Sequence, residues 1–171
     1  MTRWSGSSGA AVFACLVVLS ARPVAAGERR PDPERVLVRG PGVIEITQAL
    51  YGAIRRLESP SCRQLFTDFV DHEGRTVGEN LGAMTPAEYL ARLVIRDGEI
   101  PKGSGRCASP GAAAFTVDGA AVFVCGRNFR RQKPPRREIA LIHEMLHTLG
   151  VRENPPSSAE ITRQVERRCG S

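Results

Sequence analysis

The spacing of apolar residues changes several times along this chain, and each change predicts an element. Ala10-Ala11-Val12-Phe13-Ala14-Cys15-Leu16-Val17-Val18-Leu19 is an unbroken apolar run, with Arg3 before it and Val24-Ala25-Ala26 after it. A run that short spans a bilayer poorly. With its basic start and small residues at the end, it has the three parts of a secretory signal, cleaved after Ala26. Residues 27–42 are rich in Pro, Arg and Glu and have no apolar period, which predicts a disordered lead-in. From Val43 to Leu57, Ile46, Leu50, Ala53, Ile54 and Leu57 recur at helical spacing, and Ser59-Pro60 ends the run.

Beyond that helix the period shortens. Aromatic and β-branched residues from Gln64 to Val70, the turn Asp71-His72-Glu73-Gly74 and then Arg75-Thr76-Val77 predict a hairpin, with His72 a solvated residue of its turn. Thr85-Pro86-Ala87-Glu88 is a capping box with proline at the first helical position, opening a helix through Tyr89, Leu90, Leu93 and Val94 that Asp97-Gly98 closes. Residues 101–110 are Gly- and Ser-rich and read as an irregular loop. Ala113 to Val117 and Ala120 to Cys125, joined at Asp118-Gly119, form the clearest hairpin. The basic, proline-containing stretch Phe129 to Arg137 reads as a solvated loop, or as a rim that selects acidic substrates. Ile139, Ile142, Leu146 and Leu149 then share one face of a helix that Gly150 ends. Ile161, Val165 and Cys169 share a face of a last one, opened by the capping box Ser157-Ser158-Ala159-Glu160.

The helix before Gly150 carries the chemistry. It contains His143-Glu144-Met145-Leu146-His147, so two imidazoles four residues apart point from one face and can share Zn²⁺. A catalytic zinc takes three protein ligands and leaves a position for water or substrate. Glu144, about 100° around the helix from His143, stands at the flank of such an ion, where a general base belongs. The third residue after Gly150 is Glu153, an acceptable oxygen ligand. Glu160 is the rival third ligand, although the capping box already gives it work.

The whole run, His-Glu-x-x-His-x-x-Gly-x-x-Glu, resembles the metzincin pattern of zincin metallopeptidases, with Glu153 where that pattern has histidine and without a later methionine turn, since Met145 is the last methionine. The tail from His147 to Thr162 is similar to that of small exported bacterial zincin-like proteins. The resemblance implies a single zincin-like α+β domain over residues 43–171. Its active-site helix would pack on a short mixed or antiparallel sheet, with flanking helices. It implies peptide hydrolysis by zinc-activated water with Glu144 as base, and a cleft strand, that of Phe115 or of Val122, whose edge pairs with an extended substrate. Tyr51, Tyr89 and several arginines are open as partners for the developing oxyanion. The competing readings are a non-catalytic exported module that binds an envelope partner, and a zinc amidase acting on cell-wall peptides.

Charge and cysteines narrow the class. The chain has 24 basic and 18 acidic residues, and loss of the signal with Arg3 and Arg22 lowers the net charge from +6 to +4. With so few aromatics this does not suggest a nucleic-acid partner. Cys62, Cys107, Cys125 and Cys169 remain in the exported chain and predict two disulfides with three possible connectivities. Cys107 and Cys125 flank the hairpin, which favours their pairing and leaves Cys62 for Cys169. Oligomeric state has no signature in the sequence.

Overall fold

The computed structural model describes residues 1, 35–38, 42–99, 105–117, 119 and 121–170; the stretch expected to be a signal, Met1 apart, and most of the expected lead-in lie outside them. The chain builds one mixed helix-and-sheet domain. Its strands are β1 (Val36–Leu37), β2 (Ile95–Asp97), β3 (Ala114–Val117) and β4 (Ala121–Val124), in the order β1-β2-β4-β3. β1 runs parallel to β2 and β2 parallel to β4, while β3 and β4 form the antiparallel hairpin expected from Asp118-Gly119.

Three helices and the hairpin enclose the core. α1 (Val43–Leu57) buries Ile46, Leu50, Ala53, Ile54 and Leu57, and the basic pair Arg55 and Arg56 at its end suits the helix dipole. α6 (Arg136–Thr148) packs against α1, against α7 (Ser158–Cys169) and against β3 and β4, and buries Ile139, Ile142, Leu146 and, just past its end, Leu149. On α1, Gly52 faces Glu138 of α6. A Cβ there would lie 2.6 Å from the Glu138 carboxyl, so an added side chain would push that group from its place. Glu138 in turn accepts from Arg56, whose guanidinium also donates to the Cys169 carbonyl, so one side chain joins α1, α6 and the end of α7.

Cys62 pairs with Cys169 and Cys107 with Cys125. The first bond spans 107 residues and ties α2 (Pro60–Arg63) to the end of α7; the second spans 18 and fastens the loop before β3 to the end of β4.

Four expected elements need correction. The first strand of the hairpin at Gln64 to Val70 is instead helical, as α2 and α3 (Leu65–Asp68), and of the pairing only a single bridge between Val70 and Thr76 is present. Ser59 caps α2 through the Cys62 N–H, and Cys62, Leu65, Phe66 and Phe69 are all buried, a helical rather than alternating spacing. α4 (Pro86–Arg92) keeps its capping box but stops before Leu93, and Ile95 enters β2, a strand paired on both sides. Part of the lead-in is ordered: Val36–Leu37 form β1 and Val38 is buried. The basic stretch begins inside α5 (Gly126–Arg131), whose Phe129 is fully buried and whose last carbonyls accept from the Arg137 guanidinium.

Candidate metal centre

The helical repeat of α6 brings the two imidazoles together: His143 Nε2 and His147 Nε2 are 3.0 Å apart. What holds each ring follows from the way the helix ends. Gly150 has φ +101°, a conformation that favours glycine, and a Cβ there would lie 2.9 Å from the Cβ of Asp71. The turn then closes with Gly150 N–H donating to His147 O and Val151 N–H to Leu146 O, the paired bonds of a Schellman motif, and Val151 buries its side chain. That turn aims the Val151 carbonyl at His147 Nδ1, 2.7 Å away. A carbonyl only accepts, so Nδ1 carries the proton and Nε2 keeps its lone pair.

His143 is held from the opposite side. Its Nδ1 lies 2.9 Å from Thr162 Oγ1 on α7. When the threonine hydroxyl accepts, that nitrogen carries the proton as well and both Nε2 lone pairs face one point, where a single cation can be shared. Burial first, and the charge of His147 second, push the His143 pKa down to about 4, so the ring is neutral at physiological pH and able to ligate. The third group is Glu153, whose Oε1 is 3.5 Å from His147 Nε2; ligand atoms of His143, His147 and Glu153 all lie within 4.8 Å of one another. Two nitrogens bound to a tetrahedral zinc stand roughly 3.3 Å apart, so this donor set fits the ion with small adjustments. Glu160 stays in its capping box, its carboxylate on Ser157 N–H and Oγ, and is not part of the cluster.

Glu144 is buried, and burial pushes its carboxyl above the ordinary range, while the charge of His147 and a hydrogen bond from Thr116 pull the other way. Thr116 Oγ1 on β3 is 3.0 Å from Glu144 Oε2 and 3.2 Å from the Glu144 carbonyl, so it steers the carboxylate along the strand.

A second clamp fixes the end of α6. Asn80 Nδ2 donates to Leu149 O at 2.8 Å and to Asp71 Oδ2 at 2.9 Å. Asp71, itself buried, also accepts from the backbone of Glu73 and Arg75 and from the Arg75 guanidinium. These bonds, that from Asn80 foremost, hold its carboxyl well below the usual carboxylate range.

The cluster opens into a cleft of about 940 Å³ whose wall is β3 and whose rim carries Arg106, Arg136 and Arg152. β3 is the edge strand; β4 lies between β2 and β3, so the strand of Val122 has no edge to offer a substrate and that expectation falls. His72 keeps its exposed turn but sits at the cleft rim, outside the metal-ligand group. Tyr51 and Tyr89 are not among the described residues that line the cleft, and the Tyr89 hydroxyl is 3.2 Å from Thr148 Oγ1. Thr116, Thr162, Val151 and Asn80 are the supporting residues that side-chain spacing does not reveal, Thr116, Thr162 and Asn80 because tertiary approach matches each to its partner, and Val151 because it acts through its backbone carbonyl. The chain matches no protein-family model, no curated protein and no solved structure.

Proposed function

We propose that this chain is an exported zinc-dependent peptidase, with His143, His147 and Glu153 as metal ligands and Glu144 as general base. The observation that carries the reading is the pair of imidazoles whose outer nitrogens are both occupied, by Val151 O and Thr162 Oγ1, so that both inner nitrogens point at Glu153 and at each other. A helix with two incidental histidines has no need of that arrangement. Zinc held there would polarise the scissile carbonyl and acidify the attacking water. Glu144, with Thr116 on one oxygen, takes the proton from the water and passes it to the leaving amine. β3 ends the sheet and so gives an extended peptide an outer strand to pair with near the base. The two disulfides are compatible with an extracellular location, and no described helix is long and apolar enough to cross a membrane.

The test is metal content of the purified exported protein followed by cleavage of an unbiased peptide library. Glu144→Gln is expected to keep stoichiometric zinc and to lose at least about 100-fold in turnover, the usual contribution of a general base. Undiminished turnover would remove Glu144 from the reaction, and a protein that takes up no divalent ion would end the proposal. A non-catalytic zinc module has no use for a base beside its first ligand, which favours the peptidase over it.

A further inference from the structure

The register of the hairpin decides which peptide groups of β3 face the cleft. Cys125 N–H donates to Ala113 O, and the ladder pairs Phe115 with Phe123 and Val117 with Ala121. In an antiparallel ladder hydrogen-bonded pairs alternate with non-bonded ones, so Phe115 and Val117 bond across to β4 while Ala114 and Thr116 turn their N–H and C=O to the open edge. One of those outward groups is already taken. Arg106 Nη1 lies 3.2 Å from Thr116 O, and the guanidinium carbon stands 5.3 Å from the centre of the Phe115 ring. The residue next to it, Cys107, is bonded to Cys125, so the loop that carries Arg106 is fastened to the hairpin.

Arg106 therefore ends the stretch of β3 that a substrate can pair with, and it does so beside the base: the residue whose carbonyl it holds, Thr116, is the one whose hydroxyl meets Glu144. A guanidinium has five N–H donors in a planar fork, and among the described residues Thr116 O is the acceptor that Arg106 has. The surrounding charge has the same sign. Arg136 and Arg152 line the same cleft with no ion-pair partner among the described residues, against Glu166 once Glu144 and Glu153 are given to the base and the metal.

We infer that Arg106 is the substrate-carboxylate site of this cleft, and that the preferred substrates are peptides presenting a carboxylate at the end of the β3 edge, either an acidic side chain or a free C-terminus. This rests on the peptidase reading for the position of the scissile bond, but the recognition itself needs no turnover. Fork-shaped, bidentate contact to a carboxylate is what a pre-held arginine does best. The aromatic face under the guanidinium and the carbonyl beside it leave little rotamer freedom to be lost on binding.

The experiment is calorimetric titration of zinc-supplemented Glu144→Gln protein with three blocked or part-blocked alanine pentapeptides. One has a central glutamate and an amidated end, one a glutamine in its place, and one has no acidic side chain but a free C-terminus. At least one carboxylate peptide is expected to bind about 10- to 100-fold more tightly than the glutamine peptide, the usual value of a charge-assisted pair. Whichever of the two does so identifies the source of the carboxylate. Arg106→Gln is expected to erase the preference, and Arg106→Lys to keep part of it. Equal binding of all three peptides, no binding of either carboxylate peptide, or a preference that survives Arg106→Gln would overturn the inference. Cleavage without regard to charge in the active protein would leave the peptidase and discard the carboxylate site. Arg106-dependent binding in a protein that never cleaves would do the opposite.

Discussion

Two ring nitrogens 3.0 Å apart are useful only if each is in the right tautomer, and the residues that set the tautomers are where single substitutions should tell most. Thr162→Val removes the group at His143 Nδ1 while keeping the shape of the side chain, so zinc affinity is expected to fall about 10- to 100-fold with little change in fold, read by chelator competition. Glu153→Ala should weaken zinc at least as much. Glu160→Ala, which removes one half of a capping box, should lower the melting temperature slightly and leave zinc affinity alone; the reverse result would move the third ligand to Glu160. The three grouped ligand residues were legible in the sequence, His143 and His147 because helical spacing puts them on one face, and Glu153 because it stands three residues after the glycine that ends the helix. Thr162 was not, since its own helix shows only the stripe of Ile161, Val165 and Cys169, and its partner is 19 residues away on another element.

At the scale of elements, the ending of α6 matters more than its length. The Schellman turn at Gly150 and the Asp71–Asn80 clamp on Leu149 O together decide where Val151 and Glu153 go. Because the Asp71 carboxyl is lowered on folding, its contribution to stability is fully present above the unfolded aspartate value, about 3.9, and fades as pH falls through the lower folded value. Asp71→Asn is therefore expected to lower the melting temperature by a constant amount above about pH 5 and by progressively less below pH 4, in paired thermal scans. The element boundaries that sequence missed share a cause. Phe66, Thr67, Phe69 and Val70 have strand-like chemistry, yet Ser59 and Pro60 start a helix and the core accepts Cys62, Leu65, Phe66 and Phe69 at helical spacing. Ile95–Asp97 is too short to display a period of its own, and it becomes a strand because β1 and β4 are there to pair with it.

For the molecule as a whole, the long cross-link is the feature with the widest reach. Cys62–Cys169 closes a loop of 107 residues, and replacing both cysteines with alanine is expected to cost about 4–5 kcal/mol in the chain-entropy treatment, measured by denaturant unfolding. The helix it fastens also carries Thr162, so gentle reduction of the wild-type protein should weaken zinc uptake before it unfolds the domain. The consequence reaches back to biosynthesis. On the export reading proposed above, that cross-link closes only after the chain has left the reducing cell. Until then α7, and with it the Thr162 that holds His143, rests on packing and on the hydrogen bonds from Arg56 and to Asp68, so the proposed peptidase would reach its full grip on zinc only on arrival.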